Sequence, residues 1–394
     1  MNAPRPEAPA AEWLVFADSL QSKGDPRGEL IALANAGDFG KRDAHVKAHA
    51  NALLGPAAKH LGGPLTIDWK WGFIDSAEIA GDASVNFVAV LEALLGGPHA
   101  EHLRSLTLTG LTPDEAAVDL SPVIARASKV ASLQHVRLID KRAAGVSTLV
   151  SRDYEPEENL VGFGSLDPLW ALPALRSLEV VMADVRQLEP GTIHSSTLSS
   201  LTVHGLRFAG SGFGDGDPNE LAQALGAARL PALAKLELRL CEEWTANRPD
   251  DSDAYLPYAY GEDDSEEGAD DGDGEGARWG AELGPVLAML ARSTTLKELR
   301  LTSFENGEGL LEALNEHGLP SSLEELDLSG SMIDEACVPL FEANAGYRKL
   351  KRLVVEDTRL NEQAFTALKK LIGVVIGEPG ERYLPQFRYV VGME

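Results

Sequence analysis

The residues of this chain with the most chemical character lie between Glu242 and Gly276. Those thirty-five residues hold fourteen carboxylates and one cation, Arg248, a net −13 that is half of the chain's formal −26. So much charge with so little apolar content predicts a solvated segment without a core of its own. Yet Trp244, Tyr255, Tyr258 and Tyr260 stand among the acids, and Trp279 follows them. Rings interleaved with carboxylates suit a segment that settles onto a basic or amphipathic partner, the rings anchoring and the charge steering. The plainer reading is a solvated insertion.

Other spacings invite metal or nucleotide chemistry. Asp271, Asp273, Glu275, Gly276 and Glu282 fall at positions 1, 3, 5, 6 and 12 of a calcium-binding loop. Position 5 of such a loop calls for Asp or Asn, and Arg278 stands where an apolar residue is usual. In so acidic a stretch chance matches come easily, and no metal is expected. His45 and His49 are one helical turn apart, but no acid follows His45 and no third ligand is evident. Gly210, Gly212, Gly214 and Gly216 lack the Lys-Ser/Thr of a phosphate loop and the spacing of a dinucleotide fingerprint, so they read as a turn. Gly24-Asp25-Pro26-Arg27-Gly28 reads as a helix end, a cap and a first helical proline, with Arg27 paired to Asp18 or Glu29. Cys241 and Cys337, the two cysteines, fit small buried positions of a repeat and form neither a disulfide framework nor a metal quartet.

The elements that position these residues come from an internal repeat. The pattern L-x-x-L-x-L occurs at Leu103/Leu106/Leu108, Leu133/Val136/Leu138, Leu175/Leu178/Val180 and Leu198/Leu201/Val203. It returns at Leu233/Leu236/Leu238, Leu296/Leu299/Leu301, Leu323/Leu326/Leu328 and Leu350/Leu353/Val355, the last three copies each offset by 27 residues. Each copy predicts a short strand with alternate residues in the core, and successive strands stack into one parallel sheet. The chain returns through helices, two of which open with Thr112-Pro113-Asp114-Glu115 and Asp217-Pro218-Asn219-Glu220, a cap followed by proline. Ile333 and Leu360 hold equivalent places in the last pair of repeats, as do Phe341 and Leu368. Irregular spacing before residue 296 implies insertions, one of them at Lys141 to Pro168. Ahead of the repeats, Trp13 to Leu20, Arg27 to Ala34 and about Lys41 to Leu61 read as three helices.

The same register sorts the outward residues. One row is Thr107, Arg137, Glu179, Thr202, Glu237, Arg300, Asp327 and Val354; the next is Thr109, Ile139, Val181, His204, Arg239, Thr302, Ser329 and Glu356. Lys235, Arg239 and Arg300 make a local basic patch over which the acidic stretch could fold. With Glu237, Asp327 and the aromatic residues above, Arg239 and Arg300 are the candidate partner contacts. No catalytic triad, carboxylate pair or cofactor motif emerges, so neither enzymatic activity nor a cofactor is expected.

These repeats resemble the ribonuclease-inhibitor-like class of leucine-rich repeats, which implies an α/β solenoid with strands on a concave face and helices on a convex one. Leu14 to Leu20 and Gly24 to Ile31 resemble the small repeat-companion domain that precedes leucine-rich repeats in planctomycete and myxobacterial proteins. That family has Tyr where Phe16 stands and Trp where Ser19 stands, and its opening strand is similar to Trp71-Gly72-Phe73-Ile74. The expected domains are a helical companion at 1–62 and a repeat domain at 63–394, with the acidic insertion at 242–278 and a cap at about 371–394. Hydrophobic content of 44% suffices for a full core, and aromatics at 6% leave the packing to aliphatic residues. The acidic balance argues against nucleic acid or anionic membrane and for a basic protein partner. No apolar run spans a bilayer and Met1 to Ala11 holds no apolar secretion core, so a cytoplasmic location is expected; the companion-domain resemblance implies a bacterial protein, and a monomeric binding protein is expected. Ribonuclease-inhibitor-like repeats with an acidic segment also resemble nuclear-transport GTPase activators, though those carry the acids at the C-terminus. A regulator of an enzyme, or an inhibitor or immunity protein for a toxic enzyme, is the alternative.

Overall fold

The computed structural model describes residues 3–4, 8–97, 99–111, 117–141, 161–182, 188–205, 220–240, 274–302, 307–331 and 333–379. They fall into two compact units. The first comprises Met1–Lys141, Leu160–Gly164 and Ala171–Ser177; the second comprises Arg142–Asn159, Ser165–Trp170 and Leu178–Glu394.

The first unit opens with helices α1 (Ala10–Gln21) and α2 (Pro26–Asn35), each longer than its sequence pattern suggested. Gly24, at φ 74°, takes the chain out of α1, and the Asp25 side chain accepts from the Arg27 amide at 3.0 Å to cap α2. Arg27 pairs with Asp25 itself at 2.6 Å rather than with Asp18 or Glu29. Gly28 is required by packing: a Cβ there would lie 2.6 Å from the Ala17 carbonyl oxygen. The whole glycine-rich string is thus a helix corner.

The third helix expected near 41–61 is broken into pieces. α3 (Phe39–Ala48) is capped by Asp38 on the Lys41 amide at 3.1 Å. At His49 the backbone leaves the helical region (φ −111°, ψ 17°), and α4 (Ala50–Leu54) is followed by a 3-10 turn, Gly55–His60. Trp13, Phe16, Ala17, Leu20, Ile31 and Phe73 form the core under these helices. Phe73 belongs to a hairpin of β1 (Leu65–Lys70) and β2 (Phe73–Gly81). Its two-residue turn, Trp71-Gly72, has φ of 52° and 75°, the double positive that such hairpins need. Trp71 tolerates it while stacked on Trp13, with ring centroids 5.4 Å apart and planes 6° apart.

From β2 onward the unit is parallel. β3 (Ser105–Gly110) pairs with β2, and β5 (His135–Asp140) with β3. A short pair of β4 (Val118–Asp119) and β6 (Val161–Gly162) lies apart from that sheet. Helices α5 (Phe87–Leu95) and α6 (Ser121–Ala127) are the returns.

The second unit carries the regular repeats. After α7 (Asp167–Trp170), its strands are β7 (Ser177–Val181), β8 (Ser200–Gly205), β9 (Lys235–Leu240) and β10 (Glu298–Thr302). They are followed by β11 (Glu325–Asp327), β12 (Arg352–Val354) and β13 (Val375–Ile376), side by side in chain order. The returns are α8 (Glu220–Gly226), α9 (Gly274–Ala291), α10 (Gly307–His317), α11 (Val338–Ala343) and α12 (Glu362–Ile372). Leu236, Leu299, Leu326 and Leu353 are direct neighbours across β9 to β12, the last three as the 27-residue offset requires. Every residue of the eight triads is buried, as are Ile333, Leu360, Phe341 and Leu368.

A further regularity sits one residue ahead of the triads. Ser132 Oγ donates to the Leu103 carbonyl at 2.8 Å, Thr295 Oγ1 to Leu233 at 2.9 Å and Ser322 Oγ to Leu296 at 2.7 Å. Each hydroxyl ties the start of its strand to the first triad residue of the preceding repeat, satisfying a carbonyl the sheet does not use.

Candidate functional site

Strand register arranges the outward face of the second unit as three rows. Lys235, Glu298, Glu325 and Arg352 form one, and Glu237, Arg300, Asp327 and Val354 the next. In the third, Arg239 lies beside His204 and Thr302. Adjacent strands place these side chains within reach of one another, and opposite charges meet.

Glu237 is the most perturbed of them. His204 donates to its Oε1 at 3.0 Å and Lys235 reaches its Oε2 at 2.9 Å. The His204 hydrogen bond, reinforced by Lys235 against the opposing effect of burial, holds the Glu237 carboxyl down at about 2. Its charge is therefore fixed at any physiological pH. The basic patch expected at Lys235, Arg239 and Arg300 is, at Lys235 and Arg300, half of a mixed network: Arg300 approaches Glu237 at 4.0 Å, Glu325 at 3.6 Å and Asp327 at 3.9 Å. Arg352 meets Glu325 Oε2 at 2.5 Å, and Asp327 Oδ1 accepts from the Ser329 amide and hydroxyl at 3.0 and 2.6 Å.

Of the sequence-derived candidates, Glu237, Arg300 and Asp327 are consecutive in one row, with Arg239 beside them. Trp244, Tyr255, Tyr258, Tyr260, Asp271, Asp273 and Cys241 lie outside the described residues, as do the glycine run at 210–216 and the cap residues at 112–115 and 217–219. Helix α9 begins at Gly274, so Glu275, Gly276 and Glu282 are helical in backbone rather than part of a loop. Sequence reasoning passed over Glu325 and Arg352. They were readable two residues before Asp327 and Val354, since alternate strand residues share a face.

The remaining candidates have structural roles. His45 Nε2 lies 2.8 Å from the Pro26 carbonyl oxygen, tying α3 to the start of α2, while its ring packs on His49 at 4.5 Å. Among the described residues no group of three or more His, Cys, Asp or Glu could hold a metal ion. Cys337 is buried beside the Asp334 turn, and burial pushes its thiol up to about 12, which leaves it no nucleophilic character. In the first unit a depression between Trp13, Trp71, Phe73, His102 and Arg104 has room for little more than a water, about 20 Å³.

No family model matches the chain, and no curated protein matches it. Solved structures do. One, from Bacteroides fragilis, is 17% identical over 89% of this chain and 87% of its own, with a TM-score of 0.50. An internalin from Listeria monocytogenes is 11% identical over 86% of this chain and 95% of its own, with a TM-score of 0.25. The first likeness is one of fold. In strand register, core rows and return helices the chain is an α/β leucine-rich-repeat solenoid with a helical region at its N-terminal end.

Proposed function

We propose that this chain is a non-catalytic protein-binding module whose second-unit face, together with the acidic segment 242–278, recognises a basic protein. The observation that carries the reading is the ordered row Glu237–Arg300–Asp327 with Arg239 beside it, charged groups held in register on the outward side of the sheet. Such a surface fixes the orientation of a partner more than it drives affinity. The acidic segment begins two residues after Leu240, the last residue of β9, so its charge enters at the end of that face. Its Trp244, Tyr255, Tyr258 and Tyr260 supply the anchors. We place the module in the cytoplasm as a monomer, with residues 1–62 as a companion to the repeats of 63–394 and 371–394 as their cap. Among the described residues no helix is long and apolar enough to cross a membrane.

Affinity capture from the native lysate tests this. A variant with a short Gly/Ser bridge in place of Asp250 to Asp273 leaves α9 whole and keeps the fold, since loop length changes closure entropy little. Its capture of the partner falls, and the remaining binding depends less on salt because the steering charge is gone. Replacing Tyr255, Tyr258 and Tyr260 by Ser weakens capture at unchanged net charge. Capture equal to the parent's in both variants removes the segment from the function. A partner that carries enzymatic activity, changed on binding, moves the reading to enzyme regulator or inhibitor.

A further inference from the structure

In the first unit the sheet ends on a strand with one side unused. β1 pairs with β2 and with no other described strand. At one end of the hairpin Ala80 donates to the Pro64 carbonyl at 2.9 Å, and at the other the turn closes on the pair Lys70 and Phe73. Bonded and unbonded pairs alternate along an antiparallel ladder, so Thr66, Asp68 and Lys70 turn their N–H and C=O toward β2. Leu65, Ile67 and Trp69 turn theirs away. Leu65 is provided for, since Gly62 donates to its carbonyl at 3.3 Å. Among the described residues nothing bonds to the main chain of Ile67 or Trp69 on that side. The edge is open to solvent: Ile67 and Trp69 are half-buried, and Thr66, Asp68 and Lys70 are exposed.

An open edge is a template for one more strand, and proteins guard such edges with charges and bulges. β1 has both: Asp68 and Lys70 are exposed on it, and its register with β2 shifts between Asp68 and Trp69. It also has what a guarded edge does without, an isoleucine and a tryptophan half open to solvent at the two unpaired positions. Such an edge refuses indiscriminate pairing and selects by charge. The Gly62 bond and the Trp71-Gly72 turn bound it, leaving Thr66 to Lys70, about 17 Å of strand. That is too little area to hold two copies of this chain together, and enough for a peptide. We propose that the outer edge of β1 docks an extended segment of a partner protein as an added antiparallel strand, with a cation facing Asp68 and a carboxylate facing Lys70. Apolar residues of the segment lie opposite Ile67 and Trp69, where the main-chain hydrogen bonds form. Between them, where side chains of an antiparallel pair come closest, stands Asp68. This contact goes beyond the second unit's face and does not depend on it.

Panning a random eight-residue peptide library on the full chain supplies the probe. Enriched peptides are expected to alternate apolar and polar residues, with Lys or Arg two positions from Asp or Glu. Methylating the peptide's main-chain nitrogens tests the pairing itself. Methyls at the apolar positions, whose N–H groups face β1, weaken binding at least tenfold, about the worth of one hydrogen bond. Methyls at the polar positions leave it unchanged, because those N–H groups point away. Ile67→Pro removes a docking N–H at an edge position that proline tolerates, and weakens binding about as much. Asp68→Lys loses the parent peptide and gains the peptide in which Glu replaces the cation. If Ile67→Pro lowers the unfolding midpoint, the methylated peptides and the charge exchange decide. Peptides indifferent to Ile67→Pro and Asp68→Lys, or weakened equally by both methylation patterns, overturn the proposal, as does enrichment of none. The reading of the second unit's face is decided separately, by capture with the acidic-segment variants.

Discussion

The two units carry the same inward rows and different outward ones. Leu106 and Leu108 in the first are as fully buried as Leu299 and Leu301 in the second, each at 0% exposure. On the outward face of the first, carboxylates meet hydroxyls. Asp68 accepts from Ser76 at 3.2 Å and Glu78 from Thr109 at 3.0 Å, with an Arg104–Asp75 ion pair at the foot of the sheet. Burial, with Arg104 and Arg176 nearby, pushes His135 below the usual imidazole range, so this side of the first unit gains no extra positive charge near neutrality. On the second unit's face, charge meets charge across four strands from Lys235 to Arg352. The inward rows are constrained by the core of their own unit; the outward rows are not, and there the two units part in chemistry.

The largest expected effect tests the common half of that comparison. Leu299→Ala or Leu326→Ala should cost about 2–5 kcal/mol in denaturant unfolding, and Leu106→Ala in the first unit should cost as much. Within each unit neighbouring repeats share one core, so the damage should extend to the adjacent repeats of that unit. A loss confined to one unit breaks the claim of equivalent cores.

Gly28→Ala sharpens the comparison from the other side, since the helix corner belongs to the first unit alone. The added methyl meets the Ala17 carbonyl oxygen, so the corner must open at about 1–3 kcal/mol, seen as a lowered thermal midpoint. An unchanged midpoint means that the helices sit further apart than described.

Acid should separate the faces. The Glu237 carboxyl is depressed from 4.5 to about 2, so the stability it contributes is complete above its unfolded value. That stability, about 1–2 kcal/mol after allowing for solvent screening, is lost as pH falls from about 4.5 through about 2. Glu237→Gln should flatten the pH dependence of unfolding in that window. A variant as acid-sensitive as the parent would assign the loss to other carboxylates. The smallest effect belongs to the exposed pair Lys351–Glu324, where Lys351→Ala should leave the same unfolding curves essentially unmoved.

The sheet was legible because its signal is periodic. Leucine spacing fixed which residues neighbour which, and with register came the row Glu237, Arg300 and Asp327. The hydroxyls of Ser132, Thr295 and Ser322 were equally periodic but recur in only some copies, so they passed unnoticed beside the leucines. What composition could not give was where each long side chain turns. Lys235 and Arg300 read as a basic patch until Glu237 and Glu325 were seen to meet them, because rotamers answer to neighbours from repeats that lie far apart in sequence. Local breaks were also hidden. His49 interrupts an otherwise helical pattern, and α9 starts at Gly274, inside Gly-rich sequence that advertises a loop.

Cys337 gives the second unit a clock. The residue is 1% exposed and its thiolate suppressed, so a thiol reagent can reach it only when the turn leading into α11 opens. In a Cys241→Ser background the labelling rate therefore reports the frequency of that opening, without denaturant and at any chosen salt or pH. A partner seated on the neighbouring strands would slow the clock in proportion to its occupancy, even if it never touches the cysteine.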